Sequence, residues 1–222
     1  SFWERVIMPI IGALLAIRFH PTAVNRARRA SEAIANGQFI LVTRESYEAV
    51  GTHAAVKHEV AEDLALAQLY FRAGRPQLFA FGLRLLGTRM YTSLAGLVEG
   101  WSKNVYVGGR RSYPDEPVLR ALIPVMFVCG ALFWLLPPAV LLLALVGVTP
   151  AVLAAAAWAT GLSALFWVLF NAGFGINPLY GFSYPLGVVM TGWIFARSTR
   201  RGEQRIEWRG RTYTAEGGSG CA

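Results

Sequence analysis

The chain has 222 residues, 55% of them hydrophobic, and a formal net charge of +8 at pH 7. From Ala121 to Ala196 there are 76 consecutive residues without an Asp, Glu, Lys, Arg or His, and because about twenty apolar residues already span a bilayer, this excludes a purely soluble protein. Two cysteines, Cys129 in the apolar block and Cys221 near the end, exclude a disulfide framework or a cysteine zinc site by spacing.

In chain order, Phe2-Trp3-Glu4-Arg5 precedes an apolar run, Val6–Ile17. The run is too short to span and has no small-residue cleavage site, so it reads as a buried or interfacial helix rather than a signal peptide. Residues 20–36 are polar and Arg-rich, a surface loop or short helix. Asn36-Gly37 then introduces Gln38-Phe39-Ile40-Leu41-Val42, whose composition predicts a strand. Thr43–Val50 reads as a short helix closed by Gly51. Glu62–Ala73 reads as a second helix, ended by Gly74. Gln77–Phe81 is a second predicted strand. Tyr91–Tyr106 reads as an amphipathic helix with Leu94, Leu97, Val98 and Trp101 on one face. Strands alternating with helices predict an α/β domain over residues 1–117.

Residues 118–197 then read as membrane helices, three or four in number. Pro137-Pro138, Pro150 and Pro178 divide the block into pieces near 118–136, 138–149, 150–171 and 178–196. Arginines flank the block at both ends: Arg110, Arg111 and Arg120 before it, Arg197, Arg200, Arg201 and Arg205 after it. Basic residues collect on the cytoplasmic side, so both ends on one side favour an even number of crossings. The same placement assigns the net charge to the membrane surface and argues against nucleic acid as a partner. Residues 198–222 form a basic tail on the cytoplasmic side.

The chemistry-bearing candidate is Glu62-Asp63, a carboxylate pair at the mouth of a helix, where the dipole and free N–H groups favour negative charge. A functional Asp63 would take the proton of an attacking hydroxyl; a solvated helix start is the alternative. His53 and His58 do not share a helical face, and His20 precedes Pro21, so the histidines read as loop residues. Tyr180, Tyr184 and Trp193 read as an interfacial aromatic belt. Ser102 lacks the His and Asp partners of a nucleophile.

Three segments carry a resemblance: Asn36-Gly37-Gln38-Phe39-Ile40-Leu41-Val42-Thr43-Arg44 through Gly51; Val60-Ala61-Glu62-Asp63-Leu64-Ala65-Leu66-Ala67 with Gly74; and Ile206-Glu207-Trp208-Arg209-Gly210-Arg211-Thr212-Tyr213. In this order they resemble the second half of a family 2 glycosyltransferase domain. The nearest likeness is to the membrane-bound branch with ceramide glucosyltransferases and bacterial carotenoid or hopanoid glycosyltransferases. The resemblance implies a GT-A type α/β catalytic domain, represented here by its C-terminal half. It implies an inverting transfer from a nucleotide sugar, expected to be a UDP-sugar, to a lipid hydroxyl. Asp63 would then be the catalytic base, Glu62 its neighbour at the helix mouth, and Gln38 part of the substrate-binding surface. The family's Gln/Arg-x-x-Arg-Trp motif corresponds to Leu97-Val98-Glu99-Gly100-Trp101-Ser102-Lys103. Trp101 matches, both polar anchors are replaced, and Lys103 is the candidate substitute cation for the diphosphate. Mg²⁺ or Mn²⁺ is expected of the family, with its Asp-x-Asp ligands and the donor-binding half upstream of residue 1. The implied location is the inner membrane of a cell, multi-pass, with the catalytic part cytoplasmic. The rival is a non-catalytic membrane scaffold or subunit that retains a glycosyltransferase remnant.

Overall fold

The computed structural model describes residues 1–82, 85–113, 115–147, 150–202, 206–208 and 211–213. In chain order these form α1 (Phe2–Arg18), α2 (Pro21–Val24), α3 (Arg44–Ala49), α4 (Glu62–Arg72), α5 (Leu94–Arg111), α6 (Pro117–Ala144), α7 (Pro150–Gly173) and α8 (Tyr184–Arg201). Short 3₁₀ turns cover Ala30–Glu32, His53–Val56 and Pro178–Ser183. The one paired β element among the described residues is a ribbon of β1 (Ile206–Trp208) and β2 (Arg211–Tyr213), antiparallel, with Glu207 opposite Thr212.

This overturns the α/β expectation: the protein is helical. Neither predicted strand forms. Residues 38–42 and 77–81 contain no strand and pair with no neighbour in a ladder. The composition of both runs was strand-like, but a strand is stable only beside a second one. Here each run lies instead against α4: Ile40 packs on Val50, Val56, Ala65, Leu66 and Tyr70, and Phe79 on Phe19, Val24 and Leu64. The tail motif is described only as the two backbone segments of the ribbon; Arg209, Arg205 and Cys221 lie outside the described residues.

Four helices are long and apolar enough to cross a membrane: Phe2–Val24, Pro117–Ala144, Pro150–Gly173 and Pro178–Arg201. The chain is a membrane protein on this ground. Two details differ from the proline-based division. Helix α6 runs unbroken through Pro124, Pro137 and Pro138; a proline removes one helical N–H, a loss that membrane helices tolerate where neighbours and local adjustments compensate. At the N-terminus, the helical segment Phe2–Val24 as a whole is long and apolar enough to span.

The chain divides into two compact units. The first comprises Ser1–Leu14, Leu83–Leu97 and Pro124–Ile194. Its core joins Ile10 and Ala13 of α1, Trp167 of α7, and Tyr184 and Val188 of α8, with Trp134 and Leu135 of α6 packed alongside. Aromatic rings knit this core: Trp134 stacks on Phe166 at 5.1 Å between centroids and meets Trp167 at 5.2 Å. Two glycines permit main-chain contact. A Cβ on Gly187 would stand 2.5 Å from the Val6 carbonyl oxygen, and one on Gly181 would stand 2.5 Å from the Val168 nitrogen. Outward residues such as Phe133, Leu142 and Trp158 are exposed apolar side chains, the surface a lipid environment requires.

The second unit comprises Leu15–Gly82, Val98–Ile123 and Phe195–Ala222. Its centre is α4, whose Leu64, Ala65, Leu66, Ala67 and Tyr70 are buried. Arg18, at the end of α1, donates to the Ser31 carbonyl at 2.5 Å and to that of Ser112 at 2.6 Å, and lies between the rings of Phe19 and Tyr113. One guanidinium thus joins three stretches of chain that are far apart in sequence.

Gly187→Ala is expected to destabilise the protein by about 1–3 kcal/mol, the usual cost of overpacking a filled core. Gly12→Ala, where a Cβ meets nothing within 4 Å, should be neutral or better. Thermal inactivation of the two variants in nanodiscs compares them directly.

Candidate functional site

Helix α4 begins at Glu62 after Ala61, an N-cap residue whose side chain cannot accept a hydrogen bond. The first-turn N–H groups therefore depend on other acceptors. Asp63 supplies one: its Oδ1 accepts the Leu64 N–H at 2.8 Å. Its Oδ2 accepts the Gly37 N–H at 2.8 Å. The same carboxylate thus finishes the helix mouth and fastens the loop of residues 36–38 across it. Glycine at position 37 suits this close approach, since a Cβ there would sit 3.2 Å from Asp63 Oδ2. The loop is closed on itself as well, with Gln38 N–H donating to Asn36 Oδ1 at 3.1 Å.

The predicted site residues divide on this geometry. Asp63 and the Gly37-Gln38 loop are brought together across 26 residues of sequence. Glu62 is exposed and Asp63 half-buried. Trp101 and Lys103 lie on α5, with Lys103 only 9% exposed and Ser102 beside it fully buried. The C-terminal end of α5 is fastened to α4, since Gln68 Nε2 donates to the Arg111 carbonyl at 3.1 Å. Arg111 also pairs at 2.8 Å with Glu59, just before α4.

The other face of α5 carries a feature the sequence reading missed. Glu99 accepts from both terminal nitrogens of Arg201, at 2.7 and 2.9 Å, and from Arg197 at 3.1 Å. One helical turn pair further on, Tyr106 N–H donates to Ser198 Oγ at 3.1 Å, and the Tyr106 ring meets that of Phe195. From the sequence Arg197 and Arg201 belong at lipid head groups, and Glu99 holds only an intervening position of the family motif, between Leu97 and Trp101. A pairing across about a hundred residues leaves no local sequence signal. The hydrogen bonds from Arg201, then its charge and that of Arg197, hold the Glu99 carboxyl below its ordinary value of 4.5, against an opposing push from burial.

Another local arrangement sits at Tyr47 and His53. Tyr47 OH accepts the His53 main-chain N–H at 3.0 Å and is paired with His53 Nδ1 at 2.5 Å. Between them Thr52 adopts φ 61°, the one non-glycine residue with positive φ among those described, a conformation that costs of order 1 kcal/mol or more.

No group of three or more His, Cys, Asp or Glu able to hold a metal ion exists among the described residues. The nearest acidic pair is Glu62 with Asp63, and Asp63 already uses both oxygens on main-chain N–H groups. These residues do not fit a Mg²⁺ or Mn²⁺ seat. No protein-family model, no curated protein and no solved structure matches the chain.

The Glu99 cluster has a pH signature. A carboxyl held below its unfolded value contributes its stability fully above that value and loses it as pH falls through the folded one. The junction of α5 with the end of α8 is therefore expected to loosen below about pH 4.5. Because these side chains are about 40% exposed, Glu99→Gln should cost only about 0.5–1 kcal/mol. Limited proteolysis between residues 106 and 117, run from pH 7 to pH 3.5, should show acid-induced cleavage that the variant already displays at pH 7.

Proposed function

We propose that this protein belongs to the acceptor side of a membrane-bound inverting glycosyltransferase, in which Asp63 deprotonates a lipid hydroxyl. That oxygen then attacks the anomeric carbon of a nucleotide sugar, expected to be a UDP-sugar, in one displacement. The observation that carries the reading is the seating of Asp63 at the mouth of α4. Two main-chain N–H groups fix the carboxylate at 2.8 Å each. An ionised carboxylate offers about four lone-pair positions, so two remain for an incoming proton. Gly37 leaves the space beside Oδ2 free of a side chain.

Gln38, next in the fastened loop, is the substrate-facing neighbour in this reading. Trp101 and Lys103 of α5 serve the donor side, and Glu62 supports the negative end of the site without touching the reacting atoms. The side of the membrane is the cytoplasmic face of a cell's inner membrane, because the charges of Arg110, Arg111, Arg120, Arg197, Arg200 and Arg201 prefer that face.

A second reading has its own observation. Both oxygens of Asp63 already serve the fold, which is all that a non-catalytic membrane scaffold would ask of them. The two separate by experiment. In native membranes, Asp63→Asn is expected to lower sugar transfer to lipid by roughly 10²–10⁴-fold, the usual worth of a general base. Its melting temperature should fall by only a few degrees, since the amide keeps one acceptor. Transfer that survives the substitution in step with protein abundance would leave the scaffold reading in its place.

A further inference from the structure

The buried face of α7 is not purely apolar. Ser163, Trp167 and Asn171 follow one another at intervals of four residues, and so share one side of the helix. Trp167 and Asn171 are only 2% and 1% exposed, while Phe166 and Leu169 beside them face outward. The connector that follows folds back against the helix. Gly175 leaves the helical path at φ 69°, and a Cβ on Gly181 would stand 2.5 Å from the Val168 nitrogen and 2.8 Å from the Trp167 carbonyl carbon. Tyr184 then opens α8. From the sequence it belongs to an interfacial aromatic belt, yet it is 3% exposed and shares a core cluster with Trp167. Both rings meet that of Trp134, at 6.2 Å for Tyr184 and 5.2 Å for Trp167.

Three polar atoms are shut into this core with no partner among the described residues: Trp167 Nε1, Asn171 Oδ1 and the Tyr184 hydroxyl oxygen. The Ser163 side chain approaches the Tyr184 hydroxyl, which places that hydroxyl at the polar side of α7, but no bond of normal geometry joins the two. Buried polar atoms are nearly always paired, and hydrocarbon offers them nothing. Three orphans on adjoining side chains therefore mark a place for a further group.

The same atoms define its chemistry. An indole N–H only donates, an amide oxygen only accepts, and a phenol does either. One neutral hydroxyl answers all three: its lone pairs accept from Trp167 and Tyr184, and its proton goes to Asn171 Oδ1. A cation would face the Trp167 N–H, and an anion the Asn171 oxygen. No Asp, Glu, Lys, Arg or His between residues 121 and 196 could balance either charge. We propose that Trp167, Asn171 and Tyr184 form a membrane-buried binding site for a neutral hydroxyl group, brought by water or by a lipid alcohol. Three hydrogen bonds are what a structural water usually makes, and a lipid alcohol presents the same O–H on an apolar tail. The site lies within the first unit and uses no residue of α4, so it stands whether or not the transferase reading holds.

The test reads the indole N–H of Trp167 by nuclear magnetic resonance, in the full chain carrying isotope-labelled tryptophan in nanodiscs. Trp167→Phe identifies the signal. One preparation contains diacylphosphatidylcholine alone, a lipid without a hydroxyl group, and a second adds diacylglycerol. A cross-peak from Trp167 Hε1 to water in both preparations assigns the site to water. A cross-peak that arises only in the second, to the glycerol protons, assigns it to a lipid alcohol. A Trp167 signal with neither cross-peak overturns the proposal. Tyr184→Phe gives an independent readout. With a hydroxyl in place the variant loses a hydrogen bond, and its melting temperature should fall by about 2–4 °C. With nothing in place it sheds an unmet polar group, so an unchanged or higher melting temperature also overturns the proposal.

Discussion

Hydrocarbon gives a main chain no hydrogen-bonding partner, and that constraint governs this protein. Within the 76 residues that lack Asp, Glu, Lys, Arg and His, most of the described main chain satisfies itself by becoming helix, even through Pro137-Pro138. What those helices bury against one another is largely aromatic: Trp167 and Tyr184 are buried in the first unit, and Trp134 packs on both. What they leave outside is Leu, Val and Phe, because lipid tails accept those side chains as readily as a core does. The charges withdraw to the ends, and there they find other work, as Arg18 does by gathering two carbonyls and two rings.

The helical parts were legible because they rest on local signals. Periodic apolar residues and the terminal Gly74 marked α4, and the charge-free block marked the membrane helices. The predicted strands failed for a physical reason that composition does not carry. Gly37–Val42 and Gln77–Phe81 have the β-branched and aromatic side chains of strands, but strand formation is a pairwise property, and no partner ladder lies within the described chain. Proline misled in the opposite direction at 137–138. A break that water would enforce is bridged where the surroundings exclude water and the neighbouring turns are strong helix formers.

The candidate site was legible in part. The residue type and place of Asp63 could be read from the Glu-Asp pair at a helix start, but its hold on Gly37 could not, since 26 residues separate them. That hold gives a single carboxylate two structural tasks, to complete a helix without a capping side chain and to fix a loop, beside the role proposed for it. Tasks stacked on one residue make its removal hard to interpret unless stability and chemistry are measured separately. The Glu99 cluster was invisible for the same reason of distance. Seen in place, it turns two arginines that look like lipid anchors into struts of the protein.

The contact at Gly187 has a mechanical consequence. Where two helices meet through side chains, each can slip or roll by a fraction of a turn as rotamers adjust. At Gly187 the approach is main chain to main chain against Val6, and there is no soft layer to absorb a displacement. Within the first unit the stretches of α1 and α8 that meet here have no slack between them, so a tilt of one presses directly on the main chain of the other.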